Sequence, residues 1–112
     1  MQLAVDNRGE VMIVQANEQR IDASVAIQFK DRMRDLMQQH SAPRVILDLR
    51  NVTFLDSSGL GAVVAVRKLL GPDRVLELSG LTETVEKVFR LTRMDTIFTI
   101  HAAPPDGLRD AG

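Results

Sequence analysis

The sequence predicts one α/β domain: a mixed five-stranded sheet that opens with an N-terminal hairpin and carries three to four helices mainly on one face. Three observations carry this. Val45-Ile46-Leu47-Asp48-Leu49 is nearly continuous in apolar residues, as a strand buried on both faces requires, and that favours a parallel position. Ahead of it Val25, Phe29, Met33 and Leu36 recur at four, four and three residues, the period of an amphipathic helix, and a parallel strand pair needs such a crossover. Gln2 to Asp6 alternates, with Leu3 and Val5 on one side, and Asn7-Arg8-Gly9 then separates them from a second apolar run, which is the pattern of a hairpin.

The elements follow in order. Val11-Met12-Ile13-Val14 is apolar on both faces and belongs inside the sheet rather than at its rim. Asp22 or Ser24 can cap the first helix, whose opposite face carries Gln28, Lys30, Asp31, Arg34, Asp35 and Gln38. That helix ends near His40, because Ser41-Ala42-Pro43 stops it. Val45 to Leu49 then runs toward the polar turn Asp56-Ser57-Ser58-Gly59, and a second helix extends to Leu70, ended by Gly71-Pro72-Asp73. On this helix Leu60, Val63, Val64 and Leu70 can cover the sheet, while Gly61, Ala62 and Ala65 form a strip of small residues. Val75-Leu76-Glu77-Leu78 is a fourth strand. Thr82 caps a third helix in which Val85, Val88 and Phe89 recur at three and four. Ile97-Phe98-Thr99-Ile100 closes the set, so residues 1–101 form the domain. Pro104, Pro105 and Gly107 make 102–112 a loose or short-helical tail.

Composition limits the function. Fourteen Lys and Arg against fifteen Asp and Glu give a net charge of −1, which supplies no general attraction to nucleic acid or to an anionic membrane. Cysteine is absent, so disulfides and thiolate metal sites are excluded and a reducing compartment is permitted. No apolar run reaches spanning length and Met1 to Asp6 has no basic leader, so a soluble cytoplasmic protein is the expectation. Neither His40 nor His101 lies in metal-ligand spacing, and neither a Gly-x-Ser-x-Gly elbow nor a phosphate-binding Gly-Lys-Ser/Thr loop is present. The expectation is a protein that is not an enzyme, with no cofactor.

What remains is the stretch from Val45 to Gly71, where two adjacent hydroxyls, Ser57 and Ser58, stand at the start of a helix. A helix start presents unpaired N–H groups and partial positive charge, a setting compatible with a phosphate. Ser57 and Ser58 are therefore candidate phosphoacceptors. The same four residues, Asp56 to Gly59, also fit a simple Asx or Ser turn with an N-cap. Asp48 sits within an apolar run and is expected to be paired or at a sheet edge.

Val45-Ile46-Leu47-Asp48-Leu49, then Phe54-Leu55-Asp56-Ser57-Ser58-Gly59-Leu60-Gly61, and later Val85-x-x-Val88-Phe89 leading to Ile97-Phe98, resemble the STAS domain, specifically the stand-alone anti-sigma factor antagonists of bacteria. The likeness extends from about Leu3 to Ile100. It implies a partner-switching phosphoprotein in transcription regulation whose unmodified form binds a GHKL-type serine kinase that doubles as an anti-sigma factor. Phosphorylation of the turn weakens that complex, and a metal-dependent serine phosphatase restores it. By position in the motif the acceptor is Ser58, with Ser57 the alternative. Asp56, Ser57, Ser58, Gly59, Leu60, Gly61, Ala62 and Ala65 would form the partner surface. Two positions depart from the family pattern: Gln19 and Arg93 stand where members often have Gly. The resemblance also admits a different class, an accessory subunit of a transport system that binds a transporter ATPase without phosphorylation.

Overall fold

The computed structural model describes residues 1–102. Its elements are β1 (Leu3–Asn7), β2 (Val11–Ala16), β3 (Arg20–Ile21), α1 (Ala26–Gln39), β4 (Arg44–Asp48), β5 (Phe54–Leu55), α2 (Ser57–Leu70), β6 (Val75–Ser79), α3 (Glu83–Leu91) and β7 (Ile100–His101). A short 3₁₀ turn, Met94–Thr96, joins α3 to the last strand. The loose tail expected after residue 101 falls, from 103 onward, outside the described residues.

The main sheet has the order β1-β2-β4-β6-β7. β1 and β2 pair antiparallel, with Val5 opposite Val14, and every other neighbour is parallel. This is the predicted mixed sheet of five strands. Gly9, at φ 84°, supplies the left-handed residue of the hairpin turn, where Asn7 Oδ1 accepts its N–H at 3.1 Å. α1 and α2 serve as crossovers between the parallel strands. Alternation along the strands sends Met12, Val14, Val45, Leu47, Leu76 and Leu78 to one side, where they share a core with Phe29 and Met33 of α1, Val63 and Val66 of α2, and Val85 and Phe89 of α3. All three helices thus lie on one face. Phe89 meets Phe98 edge to face at 5.8 Å between centroids, which closes that core below α3.

Several boundaries differ from the sequence reading. α1 begins at Ala26 and no side chain caps it; Asp22 instead forms a tight turn, accepting from the N–H and hydroxyl of Ser24. The buried stripe of α1 is therefore Ala26, Phe29, Met33 and Met37, with Val25 and Leu36 half-buried beside it. The final strand is confined to Ile100 and His101, because Ile97 ends the 3₁₀ turn and Phe98 turns inward. β4 does not run directly into the serine turn. The chain first forms β5, which pairs parallel with β3 in a separate two-stranded sheet, Arg20 opposite Phe54 and Ile21 opposite Leu55.

The other face of the main sheet is polar toward its β7 edge. Arg44 makes a bidentate pair with Glu77, at 2.8 and 3.0 Å, and His101 Nε2 lies 2.6 Å from the same carboxylate. Asp48 is fully buried on the central strand and is paired rather than at an edge: it takes the N–H of Arg50 at 3.0 Å and its guanidinium at 2.8 Å. A buried carboxylate requires such a partner.

Candidate functional site

The site is assembled by β3, β5 and the first turn of α2. Asp56 caps α2, accepting the N–H of Gly59 on Oδ1 at 2.9 Å. Its other oxygen takes the N–H of Ala23 at 3.3 Å and so ties the turn before α1 to the start of α2. Both carboxylate oxygens of Asp56 are thereby committed to main-chain donors. A cap of this kind fixes the helix start without occupying the hydroxyls that follow it.

Ser57 and Ser58 are the first two residues of α2 and both are exposed. Neither hydroxyl has a hydrogen-bond partner among the described residues. The two serines thus belong to the helix itself rather than to a turn ahead of it. A dianion added there would meet the free N–H groups and positive end of a 14-residue helix.

The small residues of α2 divide between two faces. A Cβ at Gly59 would stand 2.0 Å from the carbonyl oxygen of Ile21 and 2.8 Å from Leu55 Cδ1, so this glycine faces inward and lets α2 approach β3. Ala62 is also in the core, at 2% exposure. The sequence expectation that Gly59 and Ala62 offer surface to a partner is therefore corrected: helix rotation from residue 57 carries both under the sheet. Gly61 is exposed with open space around it, and Leu60 and Ala65 are half-buried. The accessible surface at the acceptor comprises Ser57, Ser58, Leu60, Gly61 and Ala65.

Three exposed or part-exposed residues were not assigned to a surface by the sequence reading, although Phe54 heads the motif. Phe54 of β5 is 36% exposed, and the guanidinium of Arg20 stacks over its ring at 4.0 Å. Ile27, in the first turn of α1, is 67% exposed although it is a large aliphatic side chain. β3 and β5 are two residues each, too short for any periodicity to mark them. Asp22 sits at its border with a carboxyl lowered from its ordinary value, chiefly by the Ser24 hydroxyl bonded to it at 2.6 Å.

The two positions that depart from the family pattern behave differently. Arg93 has φ 63° and is the one non-glycine residue at positive φ among the described residues. The backbone there keeps the left-handed turn that glycine would adopt without strain. At Gln19 the backbone is ordinary, and its carbonyl accepts from the N–H groups of Thr53 and Phe54, at 2.8 and 3.1 Å, anchoring β5 beside β3.

Neither histidine is bonded to either serine. His40 Nδ1 is 3.0 Å from the amide of Asn7 at the hairpin, and His101 is held by Glu77. Among the described residues no group of three or more His, Cys, Asp and Glu side chains could hold a metal ion, and no helix is long and apolar enough to cross a membrane.

Comparison with known proteins places this geometry in a family. The chain is 24% identical over 115 aligned positions to the anti-sigma F factor antagonist of Paenibacillus polymyxa, an alignment covering 87% of this chain and 97% of the relative. A STAS-domain containing protein of Pseudomonas aeruginosa is 33% identical over 58 residues, which are 51% of this chain and 57% of that protein, so the match spans little more than half its length. The crystal structure of an anti-sigma factor antagonist from Mycobacterium paratuberculosis superposes with a TM-score of 0.82 at 23% identity, over 94% of this chain and 88% of the other. The sequence model of the STAS domain matches residues 2–106, nearly the whole chain, with the Asp56-Ser57-Ser58-Gly59 turn inside it: the protein belongs to the STAS-domain family.

Proposed function

We propose that this protein is an anti-sigma factor antagonist whose partner affinity is set by phosphorylation of Ser58, with Ser57 the alternative acceptor. The observation that carries the reading is the pair of exposed hydroxyls without partners on the first turn of α2, capped from behind by Asp56. Likeness to relatives named as such antagonists supports it. The unmodified form binds a GHKL-type serine kinase that is also the anti-sigma factor, and so frees that factor's target. Ser57, Ser58, Leu60, Gly61 and Ala65, extended by Phe54 and Ile27, form the contact surface; Asp56, Gly59 and Ala62 shape it from beneath.

The switch follows from electrostatics. A phosphoserine carries nearly two negative charges, taking the net charge from −1 to about −3. In the free protein the helix start and surrounding water accommodate that dianion. In a packed interface with no matching cation, its desolvation costs several kcal/mol, and about 1.4 kcal/mol is already tenfold in affinity. A kinase brings its γ-phosphate to the acceptor across the contact it then loses. A metal-dependent serine phosphatase reverses the step by hydrolysing the phosphoester.

Incubation with the cognate kinase and ATP, followed by phosphopeptide mapping, tests this. The expected result is one phosphate on Ser58. A protein that binds its partner yet acquires no phosphate between Asp56 and Arg67 would contradict the switch and leave a transport-accessory role in its place.

A further inference from the structure

At the far end of α2, about 20 Å along the helix from the acceptor serines by its rise per residue, lies a cleft of about 420 Å³. It opens because β6 and the segment leading to β7 diverge. Val75 N–H bonds toward β4, to Pro43, and Leu78 N–H bonds to Thr99 on the β7 side. Two-residue alternation therefore turns the main chain of Leu76 toward β7. Pairing with β7 begins only at Leu78, opposite Ile100, so no backbone bond reaches Leu76 on that side among the described residues.

Three cations line this gap: Arg67 and Lys68 from the last turn of α2, and Arg74 just before β6. None forms an ion pair with a described carboxylate. Arg67 and Lys68 offset the carbonyl end of α2. Arg74 spends Nε on Ala42 O and Nη1 on Met37 O, both at 2.9 Å, and its buried Nη2 has no partner. Asp73, in the turn that ends α2, is the acidic residue next to them in the chain. The apolar wall is unusually open, with Val75 at 52% and Ile97 at 37% exposure. The Arg67 guanidinium also lies 6.0 Å from the centroid of the Phe98 ring. A main-chain donor, positive charge without an ion-pair partner among the described residues, and exposed aliphatic surface thus converge on one concave space of small-molecule size.

We propose that this cleft binds a small organic anion: an apolar body carrying two or more negative charges of phosphate or carboxylate chemistry. The cations hold the charged groups, with the Leu76 N–H as a neutral donor, and Val75 and Ile97 pack against the body. The site is separate from the acceptor serines and does not depend on the function proposed for them.

The test is an amide-resolved NMR titration of the full chain with 1-naphthyl phosphate, naphthalene-1,4-dicarboxylate and pyrophosphate. Saturable shifts at Lys68, Leu76 and Thr99 are expected with at least one naphthyl probe, and the better of the two shows which anionic chemistry is preferred. Pyrophosphate, which lacks an apolar body, should bind at least threefold more weakly. Arg67→Gln combined with Lys68→Gln should weaken binding at least tenfold, and Ile97→Glu, which places a carboxylate at the exposed wall, should abolish it. Shifts that do not saturate, shifts centred on Ser57 to Gly59, pyrophosphate binding as tightly as the naphthyl probes, or unchanged affinity in both folded variants would overturn the proposal.

Discussion

Gly59→Ala and Gly61→Ala make a matched pair, because both glycines lie in the first half of α2 and intrinsic helix propensity cancels between them. At Gly61 a Cβ meets nothing within 4 Å, so alanine should stabilise by about 0.5–1 kcal/mol through reduced chain entropy. At Gly59 the same atom falls 2.0 Å from the Ile21 carbonyl oxygen and 2.9 Å from its carbon. The obstruction is backbone rather than a flexible side chain, so β3 must move off α2. That puts the cost at the upper end of overpacking, about 3 kcal/mol. Less the propensity gain, Gly59→Ala should lose about 2 kcal/mol, leaving the two variants about 3 kcal/mol apart. For a domain of this size that separates their melting temperatures by about 10–20 °C. Urea denaturation followed by circular dichroism, with equal slopes for both proteins, measures the gap. Coincident midpoints, or Gly61→Ala the less stable, would refute the assignment of Gly59 to the interior and Gly61 to the surface.

Asp56→Ala removes the cap of α2 and its link to Ala23, and should cost about 1–2 kcal/mol in denaturant titration, with Asp56→Asn recovering most of the loss. Arg93→Gly should raise stability by about 1 kcal/mol in the same assay, because the left-handed backbone at φ 63° strains any residue with a Cβ. The bidentate bond from Arg44 first, and His101 second, hold the Glu77 carboxyl below its ordinary value. Since the folded value is the lower one, this contribution is complete above about pH 4.5 and is lost as pH falls through the folded value. Glu77→Gln should therefore flatten the acid limb of the stability profile, measured by thermal melts between about pH 2 and 6.

The mixed five-stranded sheet with its N-terminal hairpin was legible because its signals are long and local: the continuous run Val45 to Leu49, the alternation before Asn7-Arg8-Gly9, and the crossover period in α1 all lie within single segments. The β3–β5 ladder was not. Two residues carry no period, and the Gln19 carbonyl that anchors Phe54 is 35 positions away in the chain. For the same reason Arg20 and Ile27 escaped attention and Phe54 was read only as part of the motif: their exposure is a property of the assembled fold. The helix of the motif was read correctly at its end, Leu70, but it starts at Ser57 rather than after the serine turn, and its rotation puts Gly59 and Ala62 inward. Small residues fit both a tight core and an open surface, so composition alone could not choose between them.

In the proposed switch one hydroxyl on α2 controls affinity for a kinase partner. Calorimetric titration of that kinase with unmodified protein and with protein stoichiometrically phosphorylated on Ser58 tests it most directly. The account predicts at least a hundredfold weaker binding after phosphorylation, about 2.7 kcal/mol, with Ser58→Ala binding like the unmodified form and Ser58→Asp weakened in the same direction. Equal affinity for the modified and unmodified proteins would contradict it.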